Sequence, residues 1–137
     1  MSKSRLRKQK QNIGKRIRAH ASDDTPPGKP HPSFSLRYVD RAHCLSSCTR
    51  KEKAAIADTI HKLSKIPWAE IETAPRHGSG YERIARSSLA RPVPSHVTED
   101  APIKAFRFFG RAAMVGYRSG DVFFVIWFDR KFKLYRH

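Results

Sequence analysis

The sequence predicts an α+β fold in which a small antiparallel sheet carries helices on one face. A strand-like stretch with alternating apolar side chains comes first, and two helical stretches separated by a proline follow. Three apolar runs rich in β-branched and aromatic residues then end the chain, joined by short turns. The 137 residues suffice for one domain with a single core.

Residues 1–32 are predicted to be a basic arm and linker, ahead of a folded domain at 33–137. The first 30 residues hold nine Lys or Arg against two acidic residues, and only four of them have large apolar side chains. So little apolar surface cannot offset the entropy cost of ordering, and the proline-rich segment 25–30 is typical of a linker. We therefore expect a flexible, disordered arm.

The first half of the domain is predicted to be a strand and two helices. Apolar and polar residues alternate over 34–39, which predicts a half-buried strand ending near Asp40. Thr49 and Glu52 have the spacing of a capping box, so a helix should begin there and run to about Ser64. Pro67 then suits the first turn of a short second helix, which Pro75 closes.

The second half is predicted to be a loop followed by a three-stranded antiparallel meander. Residues 76–102 are loop-like, and the pattern leaves open whether 81–89 hold a helical turn or a short strand. The strands are expected at 105–109, 112–118 and 122–128, with turns at 110–111 and 119–121. Both alternating sets of the last strand are apolar, which predicts a central strand covered on both faces.

Charge and composition restrict the function. Lys and Arg outnumber Asp and Glu by 28 to 12, giving a formal charge of +16, so a polyanion or an acidic protein is the expected partner. The longest apolar run, 122–128, is too short for a bilayer span, and no apolar stretch follows the basic start as in a secretory signal. Two cysteines indicate no disulfide framework and predict a cytoplasmic protein.

No cofactor or metal is expected. Gly78-Ser79-Gly80 is too short for a phosphate-binding loop, which argues against nucleotide cofactors. Cys44 and Cys48 lack the second close ligand pair of a structural zinc site, so burial as small apolar groups is the preferred interpretation.

The order strand, helix, short helix and meander resembles the RelE/ParE superfamily of bacterial toxins. The residues that carry the resemblance are Trp68 in the helix pair, segment 76–82, the strand arginines Arg107 and Arg118, and the terminal run 131–137. The resemblance implies the toxin of a toxin–antitoxin pair, an endoribonuclease that cleaves mRNA, often on the ribosome, and is silenced by an antitoxin. The basic arm departs from the compact pattern of these toxins.

A metal-independent ribonuclease needs a base for the 2′-hydroxyl proton, an acid for the leaving oxygen and cations for the phosphorane charge. Arg107 and Arg118 lie on adjacent predicted strands and would form a fork for phosphate oxygens if they share a face. His137 is the first candidate for acid or base, and a frayed chain end is the equally weighted alternative. Tyr135 either assists it or packs in the core.

His77 and Glu82 form a second candidate acid–base pair in a glycine-flanked loop, with a plain surface turn as the alternative. Lys131 and Lys133 would point to one face of an extended chain, either towards RNA or into solvent. The predicted RNA-binding residues are Arg76, Arg111, Lys131, Lys133 and Arg136.

Three functions remain open from the sequence. The first is the ribonuclease toxin, neutralised by an acidic antitoxin whose flexible segment covers the positive groove. The second is a non-catalytic RNA-binding or ribosome-binding protein. The third, closer to ParE, is a toxin that acts by binding a protein target.

Overall fold

The computed structural model describes residues 29–76 and 78–136, and the fold is α+β. Within these two ranges, a five-stranded, mostly antiparallel open sheet carries two α-helices. The strands are β1 (Ser33–Ser35), β2 (Glu82–Ile84), β3 (Ile103–Phe109), β4 (Ala112–Ser119) and β5 (Val122–Asp129), and the helices are α1 (Arg50–Ser64) and α2 (Trp68–Thr73). Residues 1–28, the larger part of the predicted arm, lie outside the described residues.

The capping box predicted for α1 is confirmed. Oγ1 of Thr49 accepts a hydrogen bond from the backbone N–H of Glu52 at 3.2 Å, and Oε1 of Glu52 accepts one from the N–H of Thr49 at 2.7 Å. The two bonds satisfy donors that a helix start leaves without intrahelical partners. The predicted end at Ser64 and the short helix after Pro67 are also confirmed.

The meander is confirmed, with β3 beginning two residues earlier than predicted. Gly110 and Gly120 open its two turns with φ angles of 58° and 60°, a conformation in which glycine has no steric penalty. The strand order is β1-β5-β4-β3-β2, so β5 lies between two other strands, as predicted, and the middle strand is β4. β5 has buried residues on both faces.

The predicted first strand is too long. β1 ends at Ser35 because the chain turns immediately afterwards: the N–H of Val39 donates to the carbonyl of Leu36, whose side chain is 45% exposed. β1 also runs parallel to β5, which makes the sheet mixed rather than purely antiparallel. β2 lies in the stretch 81–89, for which the sequence pattern left open a short strand or a helical turn. It pairs with β3.

Each face of the sheet has its own apolar layer. Both helices pack on one face, where Ile56 and Leu63 of α1 join Trp68 and Ile71 of α2 in a cluster with the sheet. The opposite face, called the loop face below, is covered by residues 85–102 and by the chain after β5. Within the described ranges, neither helix has the length and apolar character needed to cross a membrane.

Candidate active site and nucleic-acid interface

Arg107 and Arg118 lie on opposite faces of the sheet, so the phosphate fork expected of two arginines on one face is not formed. Arg107 is opposite Ala113 in the β3–β4 register, and Arg118 comes five residues after Ala113 along β4. Because side chains alternate along a strand, the odd separation places them on different sides. The contacts agree: Cζ of Arg107 lies 5.6 Å from the ring centroid of Phe132, on the loop face, and Cζ of Arg118 lies 4.4 Å from that of Trp68, on the helix face.

Arg118 belongs to a cluster that ties α2 to the sheet. Its Nη1 donates to Oε1 of Glu72 at 3.2 Å, and its Nε donates to the carbonyl of Gly120 at 2.8 Å. The same Glu72 carboxylate accepts from Nζ of Lys104 at 3.4 Å and from the hydroxyl of Tyr81 at 2.9 Å. Three donors, one from the residue before β2 and one each from β3 and β4, therefore converge on one carboxylate of α2. These bonds stabilise the packing of α2 on the sheet.

The charges of this cluster shift one another. Burial raises the pKa of the Glu72 carboxyl, but the Tyr81 hydroxyl, the Lys104 ammonium and the Arg118 guanidinium together hold it below its usual value. Burial lowers the pKa of Lys104, and the neighbouring Glu72 carboxylate opposes that shift. Nζ of Lys104 also lies 4.3 Å from the ring centroid of Tyr81, a cation–π contact that compensates part of the lost hydration.

Three of the predicted residues meet at Glu82. Its Oε2 accepts a hydrogen bond from the Tyr135 hydroxyl at 3.1 Å, and its Oε1 lies 3.3 Å from Nη1 of Arg76. The Glu82 side chain is 24% exposed and that of Arg76 is 52% exposed, so both can be reached from solvent. Burial, followed by the charge and hydrogen bond of Glu82, raises the pKa of Tyr135 far above its usual value. The Tyr135 hydroxyl therefore stays protonated and acts as a donor.

Arg107 and Arg111 border this group through Phe132, whose ring centroid lies 6.0 Å from that of Tyr135. Arg107 follows Ala105, the register partner of Glu82, by two residues, so Arg107 and Glu82 lie on the same face. The guanidinium carbons of Arg107 and Arg111 lie 5.6 Å and 5.7 Å from the Phe132 ring centroid. The backbone of Phe132 has φ 58°, which is strained for a bulky residue and persists only where the surroundings enforce it.

We call the residues Arg76, Glu82, Arg107, Arg111 and Tyr135 the Glu82 cluster. It contains a solvent-accessible carboxylate, a protonated phenol and three guanidinium groups on one side of the sheet. Carboxylate and phenol are acid–base groups, and guanidinium binds phosphate oxygens in a planar, bidentate geometry. The cluster has the chemical groups that a phosphodiester cleavage site uses.

Of the other predicted residues, His77 and His137 lie outside the described residues. Arg136 is exposed, with its N–H bonded to the carbonyl of Ser88 at 3.1 Å. The expectation of an extended chain through Lys131 and Lys133 is wrong, since the chain turns after β5. The turn forms because the Asp129 carboxylate accepts the backbone N–H groups of residues 133 and 134, both at 3.0 Å.

The loop face also carries an aromatic and histidine group that the sequence did not predict. Nε2 of His96 lies 3.0 Å from the Tyr117 hydroxyl, and the His96 ring lies 4.0 Å from the ring of Tyr38, centroid to centroid. Tyr117 in turn stacks on Phe124 at 5.2 Å. No spacing could have found this group, because His96 sits in a proline-rich connection 21 residues from its hydrogen-bond partner.

Cys44 and Cys48 are free thiols, and only Cys48 is buried. Burial, the main cause, raises the pKa of Cys48. The pKa of Cys44 is lowered, mainly by a hydrogen bond from the backbone of Ser46. In the described part of the chain, no three His, Cys, Asp or Glu side chains come together as metal ligands.

Comparison of the chain with protein-family models, with curated proteins and with solved structures gives no match.

Proposed function

We propose that this protein is an endoribonuclease toxin of the RelE/ParE type, which cleaves mRNA without a metal ion and so inhibits translation in the cytoplasm. The observation that carries the proposal is the pair of bonds at Glu82, whose two carboxylate oxygens face Tyr135 and Arg76. Two residues predicted to serve catalysis and one predicted to bind RNA thus meet at a carboxylate that solvent can reach.

The proposed reaction is an attack of the ribose 2′-oxygen on the adjacent phosphorus. The bond between phosphorus and the 2′-oxygen forms, and the bond to the leaving 5′-oxygen breaks. Glu82 takes the 2′ proton, and His137 protonates the 5′-oxygen, leaving a 2′,3′-cyclic phosphate and a 5′-hydroxyl.

The remaining residues of the Glu82 cluster have supporting roles in this proposal. Arg107 and Arg76 stabilise the charge that builds up on the phosphorane oxygens, where guanidinium groups fixed in advance are most effective. Tyr135 is a positioning residue, because its hydroxyl holds one carboxylate oxygen of Glu82 while the other oxygen faces Arg76. Arg118 takes no part, since it lies on the other face.

The charge and the order of elements also support the proposal. The formal charge of +16 favours a polyanionic substrate, and strand, helix, short helix and meander follow one another as in the resemblance to these toxins, with β2 inserted before the meander. The proposed natural inhibitor is an acidic antitoxin whose flexible segment covers the Glu82 cluster, because a basic site that binds RNA is also complementary to carboxylates.

The test is incubation of the purified chain with total RNA in EDTA, and with translating ribosomes in their Mg²⁺-containing buffer, followed by mapping of the new ends. We expect cyclic phosphate and 5′-hydroxyl ends that are lost in His137→Ala and Glu82→Gln. Glu99→Gln, a change of the same chemistry at an exposed residue, should cleave normally. Intact RNA in both settings, with binding that weakens as salt rises, would instead establish the non-catalytic RNA-binding function.

A further inference from the structure

A basic cavity lies beside the end of β5, separate from the Glu82 cluster. Its volume is about 280 Å³, close to the lower end of the roughly 300–1,000 Å³ that small-ligand sites occupy. Five basic side chains line it, contributed by the segment after β1, the connection before β3 and the turn after β5: His43, Arg91, Arg130, Lys131 and Lys133.

The two lysines have no fixed counter-charge. Neither Lys131 nor Lys133 makes a side-chain ion pair with any residue of the described ranges, although Asp129 also lines the cavity. The Asp129 carboxylate is buried and already accepts two backbone hydrogen bonds, one to each oxygen. It therefore holds the turn that presents the lysines and forms no ion pair with them.

The two arginines are oriented by carboxylates and keep spare donors. Nη1 of Arg91 is 3.0 Å from Oδ2 of Asp40, and Nε of Arg130 is 2.7 Å from Oε1 of Glu52. Each of these bonds uses one of the five donors of a guanidinium, so the rest of the fork can bind a second anion. Nδ1 of His43, which is buried, makes no hydrogen bond to the described residues.

We propose that this cavity binds a phosphate group, with the ammonium groups of Lys131 and Lys133 as its main ligands. The spare donors of the oriented guanidinium groups complete the site, because phosphate accepts several charge-assisted hydrogen bonds at once. The phosphate belongs either to an RNA strand or to a free mononucleotide or inorganic phosphate, and the experiment separates these sources. The proposal concerns binding and does not depend on cleavage at Glu82.

The experiment measures binding of three probes to the full chain: a short single-stranded RNA, adenosine 5′-monophosphate and inorganic phosphate. Two variants alter the site differently. Lys131→Ala/Lys133→Ala removes the charges, and Ala90→Phe keeps every charge but fills the cavity from an exposed lining position. The charge-matched control is Lys62→Ala/Lys65→Ala, two exposed lysines at the far end of α1. Thermal unfolding of each variant checks that the fold is kept.

We expect both site variants to weaken binding of the probe about tenfold, while the control binds as the wild type does. The charge variant loses two lysine contacts that count for about threefold each, and the phenyl ring of Ala90→Phe takes the space of the phosphate. If RNA is the source, the charge variant should also lower the slope of log affinity against log salt by about 1.4. If the wild type binds adenosine 5′-monophosphate or inorganic phosphate, and both site variants weaken that binding about tenfold, the cavity is a site for free phosphate. Unchanged binding of all three probes in the two folded site variants would overturn the proposal.

Discussion

Tyr135, close to the end of the chain, donates a hydrogen bond from its hydroxyl to Oε2 of Glu82 on β2 at 3.1 Å, across 53 residues of sequence. The bond joins the segment after β5 to the opposite edge of the sheet, because β2 is the last strand on that side. It makes the geometry of the Glu82 carboxylate depend on the docking of the chain end. Stability and activity can therefore be probed at the same pair.

Tyr135→Phe should reduce the loss of stability in alkaline solution. Burial and Glu82 raise the folded-state pKa of Tyr135, so its stabilising contribution is complete below the unfolded pKa of about 10 and is lost as the pH rises above that value. Urea unfolding of wild type and variant, at pH about 8 and above pH about 10, measures the difference. The same fall in stability for both proteins would show that Tyr135 does not titrate as argued.

Arg118→Ala should destabilise the fold by about 1–2 kcal/mol without abolishing cleavage by the folded protein. The change removes the contact with the Trp68 ring and two hydrogen bonds, one of them to the Glu72 carboxylate. Denaturant unfolding gives the loss of stability, and cleavage is measured per mole of folded chain. Arg107→Ala is the matched variant on the other face, and we expect it to lose cleavage with little change in stability. The reverse pattern would move the site to the helix face.

Thr49→Ala should lower the free energy of unfolding by about 1 kcal/mol. The variant loses the acceptor that caps the N–H of Glu52, and it loosens a carboxylate that also pairs with Arg130. Thr59→Ala, within the same helix, should change stability by no more than about 0.5 kcal/mol. Equal effects at positions 49 and 59 would mean that the cap does not stabilise α1.

Gly116→Ala should cost about 3 kcal/mol. A Cβ at this position would overlap the carbonyl oxygen of Phe124 on β5, where the register of β4 and β5 shifts. Gly78→Ala is the control, because its Cβ would approach the Pro75 carbonyl no closer than 3.6 Å, an ordinary contact. Thermal or urea unfolding compares the two variants, and a tolerated alanine at 116 would show that the two strands can separate at the register shift.

The sequence predicted the elements that depend on local pattern and missed the relationships that depend on pairing. The capping box, the helix end and the meander follow from spacing within a few residues, which is why α1 and β3 to β5 were found. β2 has only three residues and depends on β3 for its hydrogen bonds, so its pattern is too short to read. The early end of β1 depends on a turn at residues 36–39 that no proline or glycine marks.

The candidate site was predicted in its parts rather than its arrangement. Glu82, Tyr135 and Arg76 were named as separate possibilities, with Glu82 paired to His77 and Tyr135 to His137. That Glu82 and Tyr135 meet depends on the position of β2 at the sheet edge, which sequence spacing does not show. Which face of the sheet Arg107 and Arg118 each occupy depends on the β3–β4 register, and sequence spacing does not give that register.

The most direct test of the account is the single-turnover rate of RNA cleavage by Glu82→Gln beside wild type and Glu99→Gln. The amide keeps the size of the carboxylate and can still accept the hydrogen bond from Tyr135, but it cannot take the 2′ proton. We predict a loss of at least about a hundredfold in Glu82→Gln, since general acid–base catalysis contributes roughly 10²–10⁴-fold, and an unchanged rate in Glu99→Gln. Wild-type cleavage by folded Glu82→Gln would contradict the assignment of this carboxylate as the base.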